Sequence, residues 1–195
     1  MGLSPDLAKG IRVPRKPVMR SRALEVEEAR RLRATALIVG GKQGLAVLCG
    51  LYTAARASEI CGLTWDGYRD GWIEFARSKT HDTLRLPVHP VLATALDDYR
   101  LDNGQPSRYF FPGNNGAAHV TPATMWAWVK RVGFLADVEV SPHRLRHTAL
   151  TTALEASKDL RAVMDLAGHR DPTVTAGYTR LSGQRLTDAV LGLDY

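Results

Sequence analysis

"LAVLCGLYTAARASE" runs from Leu45 to Glu59. Its first eleven residues, Leu45 to Ala55, are apolar nearly all round, so no face of a helix built from them suits water. The stretch predicts a central helix buried on every side, the hub of a helical domain. It is interrupted and too short to cross a bilayer. The apolar run stops at Arg56, where the buried helix gives way to a short one over about 57–63. An arginine is costly to bury unpaired. Glu59 stands three residues on, within ion-pair reach on a helix. Two readings follow: a local salt bridge, or a guanidinium held at the edge of the core and aimed at an anion. Both can hold, with Glu59 orienting Arg56.

Upstream, helical spacing begins near Glu25, with Val26, Ala29, Leu32 and Ala36 on one face; Gly40 and Gly41 break it. The acids Glu27 and Glu28 lead and the bases Arg30 and Arg31 follow, as a helix dipole prefers. Downstream, Gly71 to Arg77 alternates, with Ile73 and Phe75 on one side and Trp72 and Glu74 on the other. Leu84, Leu86 and Val88 alternate too, and the polar SKTHDT (78–83) between them predicts a hairpin tip. Pro90 opens a helix to about Asn103, residues 109–111 read as a short strand, and PGNNGAAH (112–119) as a loop. Helices are expected near 121–135, 142–156 and 159–167, the second capped by Ser141 with Pro142 at its first position. Gly168 is a natural helix stop. The next segment, 171–182, makes a poor helix, with β-branched Thr173, Val174 and Thr175 and Gly177 beside Tyr178. A last helix spans about 182–191. The fold class is α+β, mainly α-helical, with one small antiparallel sheet.

With 195 residues the chain suits one domain, with or without an arm. A net charge of +6 favours a polyanionic partner, nucleic acid before membrane. Between Lys9 and Arg22 stand six bases, Lys9, Arg12, Arg15, Lys16, Arg20 and Arg22, and no acid. Pro14 and Pro17 keep that stretch extended. Residues 1–22 therefore read as a basic arm or interdomain linker, either solvated or lying on phosphates. Cys49 and Cys61 sit in apolar helical stretches and read as buried free thiols. With no apolar signal core at the N-terminus, the expectation is a soluble cytoplasmic protein.

The candidate chemical groups are individually ordinary. In SPHRLRHT (141–148), His143 and Arg146 share a helix face at i and i+3. His143 and His147 have a metal-ligand spacing, but the HExxH glutamate and a nearby third ligand are missing, which argues against zinc. Lys79 at a hairpin tip reads as a solubilising lysine, and His169 after Gly168 as a structural histidine.

Together, in order and spacing, they resemble one family. TAARASE (53–59), Lys79, HRLRHT (143–148), LAGH (166–169) and Tyr178, nine residues after His169, resemble the tyrosine recombinases: phage integrases and related site-specific recombinases. The resemblance covers Ala23 to Leu181. It implies the recombinase catalytic-domain fold over 23–181, with Arg56, Lys79, His143, Arg146, His169 and Tyr178 as the catalytic set. It implies that Tyr178 attacks a DNA phosphodiester, giving a 3′-phosphotyrosyl link that a 5′-hydroxyl of the partner strand then reseals. It implies no metal, ATP or other cofactor. Arg56 and Arg146 would offer planar, permanently charged forks to the phosphate oxygens. His169 would add a hydrogen bond, His143 would take the tyrosine proton or hold tyrosine and phosphate in line, and Lys79 would protonate the leaving oxygen. Arg77 and Arg85 are nearby competitors but give up protons poorly.

The sequence departs from the family where Ala54 stands for a common glycine and Arg144 for a common aspartate, which predicts a more basic site. Double-stranded DNA is the implied partner, with Lys130, Arg131 and Arg144 as candidate groove contacts beside the Lys9, Arg12, Arg15 and Lys16 arm. The family's separate N-terminal DNA-binding domain is expected to be missing, since only the basic stretch precedes residue 23. The tail, 182–195, has an apolar stripe of Leu186, Val190, Leu191 and Leu193. It could pack on its own core or dock on a neighbouring protomer in a tetramer on DNA. The alternatives are a non-catalytic DNA-binding regulator derived from a recombinase and a nicking–closing topoisomerase.

Overall fold

A computed structural model of the chain describes residues 22–76, 83–103, 107–114, 118–168 and 183–195. The expected hub is there. Helix α2 (Gly41–Thr53) is buried from Gly44 onward, and it packs against α1 (Val26–Val39), α4 (Pro90–Asn103), α5 (Pro122–Leu135) and α6 (Pro142–Ser157). A helix in contact with four others leaves no side free for polar residues, which is why Leu45, Val47, Leu48, Cys49 and Leu51 are all 2% exposed or less. One position sets how closely α6 approaches. A Cβ built on Gly50 would lie 2.7 Å from Leu145 Cδ1 and 3.2 Å from Leu145 Cβ, so the missing side chain is the space Leu145 occupies.

Local chemistry starts four of the helices where the sequence predicts. The Glu25 N–H donates to Glu28 Oε2 at 2.9 Å at the head of α1. Thr121 Oγ1 accepts from the Thr124 N–H at 3.2 Å, and Ser141 Oγ accepts from the Arg144 N–H at 3.2 Å. Both helices carry proline in the first turn. Asp159 caps α7 (Leu160–Ala167) through the Arg161 and Ala162 N–H groups. Gly168, at φ 64°, ends that helix in the left-handed region. The short helix after Arg56, α3, spans Ala57–Cys61, two residues shorter than expected, because Gly62 closes it.

The hairpin is part of a three-stranded antiparallel sheet, ordered β1 (Tyr68–Arg69), β2 (Trp72–Ala76), β3 (Thr83–Pro87). Ile73 pairs with Leu86 and Phe75 with Leu84, and Ile73, Phe75 and Leu86 point into the core. Strand β1 escaped the sequence reading because two residues carry no period. The expected strand at 109–111 is reduced to an isolated bridge between Thr64 and Tyr109, in which the Phe110 N–H donates to the Leu63 carbonyl at 3.0 Å.

The tail folds back on its own chain. Helix α8 (Gly183–Leu191) packs on α6, α7 and β3. Val190 and Leu193 are fully buried. Tyr195 stands edge-on to Tyr52 at 5.7 Å and donates its hydroxyl to the Leu51 carbonyl at 3.2 Å. Of the two tail dockings left open by the sequence, this is the one on the chain's own core. Among the described residues no helix is long and apolar enough to cross a membrane.

Candidate active site

Three of the six expected catalytic residues lie among the described ones, and the fold brings them together. Arg56 comes from the α2–α3 corner, while His143 and Arg146 come from the first turns of α6. All three line one concavity of about 330 Å3, walled further by Ala57, Pro122, Trp126, Ser141 and Pro142. Lys79, His169 and Tyr178 lie outside the described residues, as do Lys9, Arg12, Arg15 and Lys16.

Arg146 is 8% exposed, and two backbone carbonyls grip it. Nη2 donates to the Ala167 carbonyl at 2.8 Å, and Nη1 donates to the Ala54 carbonyl. Ala54 follows the last turn of α2, and Ala167 closes α7. Helix C-termini present carbonyls without helical partners and the negative end of the dipole. Two such ends therefore converge on one guanidinium, which meets part of its desolvation cost. Both chain ends leave their helices in the left-handed region, Ala54 at φ 52° and Gly168 at φ 64°. Ala54 takes that turn with a Cβ, which costs an L-residue about 1–2 kcal/mol.

Arg56 is held differently. Its side chain is 49% exposed, and Nη1 donates to Glu59 Oε1 at 2.9 Å. The backbone N–H of Arg56 donates to the other carboxylate oxygen at 2.7 Å. Glu59 is nearly buried, so it anchors the guanidinium from below and leaves its outer edge toward the concavity. Ser141, Pro142 and His143 bring the positive end of the α6 dipole to the same space. Two guanidinium groups and a helix N-terminus around one opening suit an anion.

Arg144 is held by two backbone carbonyls and a carboxylate. Its Nε donates to the Arg22 carbonyl at 3.0 Å, Nη2 to Glu28 Oε2 at 2.9 Å, and Nη1 to the Glu139 carbonyl. The Leu24 N–H donates to Thr148 Oγ1, which in turn donates to the Arg144 carbonyl. Arg144 thus clamps the entry to α1 onto α6, and Glu28 neutralises it. The charge that Arg144 adds is offset by Glu28, because α1 passes beside α6 and supplies the acid. Lys130 and Arg131 remain on α5, half-buried and exposed respectively.

Six tyrosines occur in the chain. None of the five described ones lines the concavity. Burial raises the pKa of Tyr52, although Arg33 opposes it, and burial likewise raises Tyr68, Tyr99 and Tyr195. Tyr195, buried and hydrogen-bonded under α2, is poorly placed as a nucleophile. Cys49 and Cys61 are buried free thiols. Burial pushes both up, Cys61 to about 11, so both stay protonated. Among the described residues no three His, Cys, Asp or Glu side chains gather as metal ligands. A larger concavity of about 420 Å3 between α1, α2 and α4 contains none of the expected catalytic groups.

Sequence reasoning missed two parts of the site. The carbonyls of Ala54 and Ala167 carry no side-chain signal. Trp126 had one: a large aromatic at the border of the buried stripe that Met125, Val129 and Val132 make on α5, half of it left exposed.

Comparison with known proteins gives the family and the fold. Residues 22–185 match the model of the phage integrase family. Tyrosine recombinase XerA of Pyrococcus furiosus is 28% identical over 187 residues, which cover 94% of this chain and 65% of that protein. The structure is similar to an integrase from mycobacterium phage Brujita, with a TM-score of 0.73 at 25% identity over 93% of this chain and 61% of that one. A lambda integrase tetramer bound to a Holliday junction shares the fold at 16% identity, with a TM-score of 0.61 over 83% of this chain and 49% of that one. The chain spans 65% of the length of that XerA protein and 61% of that of the Brujita integrase. The chain belongs to the phage integrase family, and its described residues form a mainly helical domain with the tyrosine recombinase fold.

Proposed function

We propose that this chain is the catalytic part of a site-specific DNA recombinase. The observation that carries the reading is the convergence of Arg56, His143 and Arg146 on one concavity from distant parts of the chain. A phosphodiester in a five-coordinate transition state gathers charge on its non-bridging oxygens. Preorganised guanidinium donors stabilise that charge, and losing one such donor costs about 10²–10³ in rate. Arg146 is immobilised by two carbonyls and Arg56 by Glu59, so neither needs to reorganise during the reaction.

Tyr178 is the nucleophile in this reading. Its oxygen attacks phosphorus, the bond from phosphorus to the 5′ oxygen breaks, and a 3′-phosphotyrosyl link forms. An unperturbed tyrosine has a pKa of about 10, so it needs a base or a cationic site near neutral pH. His143 takes the proton or holds the groups in line, and Lys79 protonates the departing 5′ oxygen. His169 adds a hydrogen bond to the phosphate. A 5′-hydroxyl of the partner strand reverses these steps and completes strand exchange. The link conserves the bond energy, so ATP is not needed. Double-stranded DNA is the partner, with Lys130 and Arg131 among the groups that face it and residues 1–22 as a basic arm or linker. Residues 23–181 form the catalytic domain and 182–195 the tail. The lambda integrase of the same fold is a tetramer on a Holliday junction. By analogy the reading includes a tetramer in which α8 leaves its own core to dock on a neighbour.

The test is a nicked suicide duplex that lets the cleaved 5′ end diffuse away. Wild type should accumulate covalent protein–DNA product and Tyr178→Phe none, with duplex binding retained. Trapping that survives in Tyr178→Phe removes the assignment. Binding without trapping in wild type makes the chain a DNA-binding regulator. Relaxation of supercoils without strand exchange makes it a nicking–closing enzyme.

A further inference from the structure

Trp126 is half exposed on α5, at 51%, and lines the concavity that holds Arg56, His143 and Arg146. The other three tryptophans lie away from that concavity. Trp65 is 8% exposed between Tyr99 and Phe110. Trp72 lies under the Arg85 guanidinium at 4.9 Å. Trp128 is half-buried against Phe111 at 5.9 Å. Trp126 is anchored at the edge of the stripe of α5, Met125, Val129 and Val132, that is locked in the core. Outside the pocket its indole meets the Lys130 ammonium one turn on, at 5.4 Å from the ring centroid. A large apolar surface kept open at the mouth of a cationic pocket is unexplained by folding and points to a ligand with both an anionic and an apolar part.

A nucleotide unit has that composition: a phosphate for the arginines and a sugar with an apolar face beside it. We propose that Trp126 packs against the deoxyribose adjoining the scissile phosphate, with Lys130 setting its charge beside the neighbouring phosphate. The proposal rests on the recombinase reading for the identity of the ligand. A sugar contact is independent of sequence, so it acts on every duplex and fixes the distance between strand and arginines. Trp126 is thus a substrate-contacting residue that positions the phosphate without joining the chemistry.

The test uses a random-sequence duplex at low salt, with emission of Trp126 taken as wild type minus Trp126→Phe. Saturating duplex should shield that emission from acrylamide. Trp126→Ala should weaken duplex binding about tenfold, and Trp126→Phe should retain most of it. The log–log salt slope should be unchanged in both, because no phosphate contact is lost, whereas Lys130→Ala should lower it by about 0.9. Undiminished acrylamide access in the saturated complex overturns the proposal. So does shielding that grows with protein concentration without DNA, which would make the indole a contact between copies. Tyr178→Phe leaves this readout intact. Shielding without covalent trapping therefore breaks only the recombinase reading, and trapping without shielding breaks only this proposal.

Discussion

Arg146 and Arg56 face the same concavity from two differently built regions. The Arg146 region is a junction of three helices, in which the guanidinium is nearly buried and holds the ends of α2 and α7 together. The Arg56 region is a corner at the surface, in which the guanidinium is half exposed and bonds to a carboxylate three residues away. One cation is part of the frame, and the other is mounted on it. Removing the first should damage fold and chemistry together, and removing the second chemistry alone.

The largest expected effect separates the two. Arg146→Ala leaves two buried carbonyls without this donor and should cost about 2–3 kcal/mol of stability, read by urea denaturation, together with cleavage. Arg56→Ala removes a half-exposed guanidinium from a nearly buried Glu59, which keeps its bond from the residue-56 N–H, and should cost less, about 1 kcal/mol. Its suicide-substrate cleavage should still fall by about 10²–10³. Equal stability losses in the two variants would break the contrast.

Gly50→Ala tests whether the junction depends on helix approach. The new Cβ meets Leu145, the neighbour of Arg146, so stability should fall by about 1–3 kcal/mol. Cleavage should fall too, through displaced Arg146, although Gly50 touches no substrate. A stable variant with unchanged cleavage would show that α6 can shift freely.

The smallest effects sharpen the picture of the two helix ends that hold Arg146. Ala54→Gly relieves a left-handed alanine and should raise stability by about 0.5–1 kcal/mol. Gly168→Ala installs the same strain at the end of α7 and should lower it by about 1 kcal/mol. Thermal unfolding of the pair reads both signs, and a loss in Ala54→Gly would mean that the alanine is favoured for a contact other than the turn.

Much of this was legible in advance. The buried hub, the caps at Ser141 and Asp159, the stop at Gly168 and the Arg56–Glu59 pair depend on residues within about one helical turn of each other, and period and spacing report such relations directly. Strand β1 was not legible, because its two residues pair with β2 across a turn and show no alternation. The partners of Arg144 were not legible for a related reason. As a base on the helix of His143 and Arg146 it read as a site charge, but Glu28 and the Arg22 carbonyl, 116 and 122 residues away, turn it toward α1.

The sequence by itself determined the helical class of the domain, the order of its elements and the identity of the residues that mark the family. Tertiary structure alone decided how three of them come to line one concavity. The carbonyls that immobilise Arg146 lie 92 and 21 residues away, on two other helices. Their meeting depends on how α2, α6 and α7 pack, with Gly50 setting one of those approaches. Tertiary packing also kept Trp126 open beside the arginines and laid the tail on its own core. Periodicity reports which face of a helix is buried; which other backbone reaches that face is a property of the packed whole.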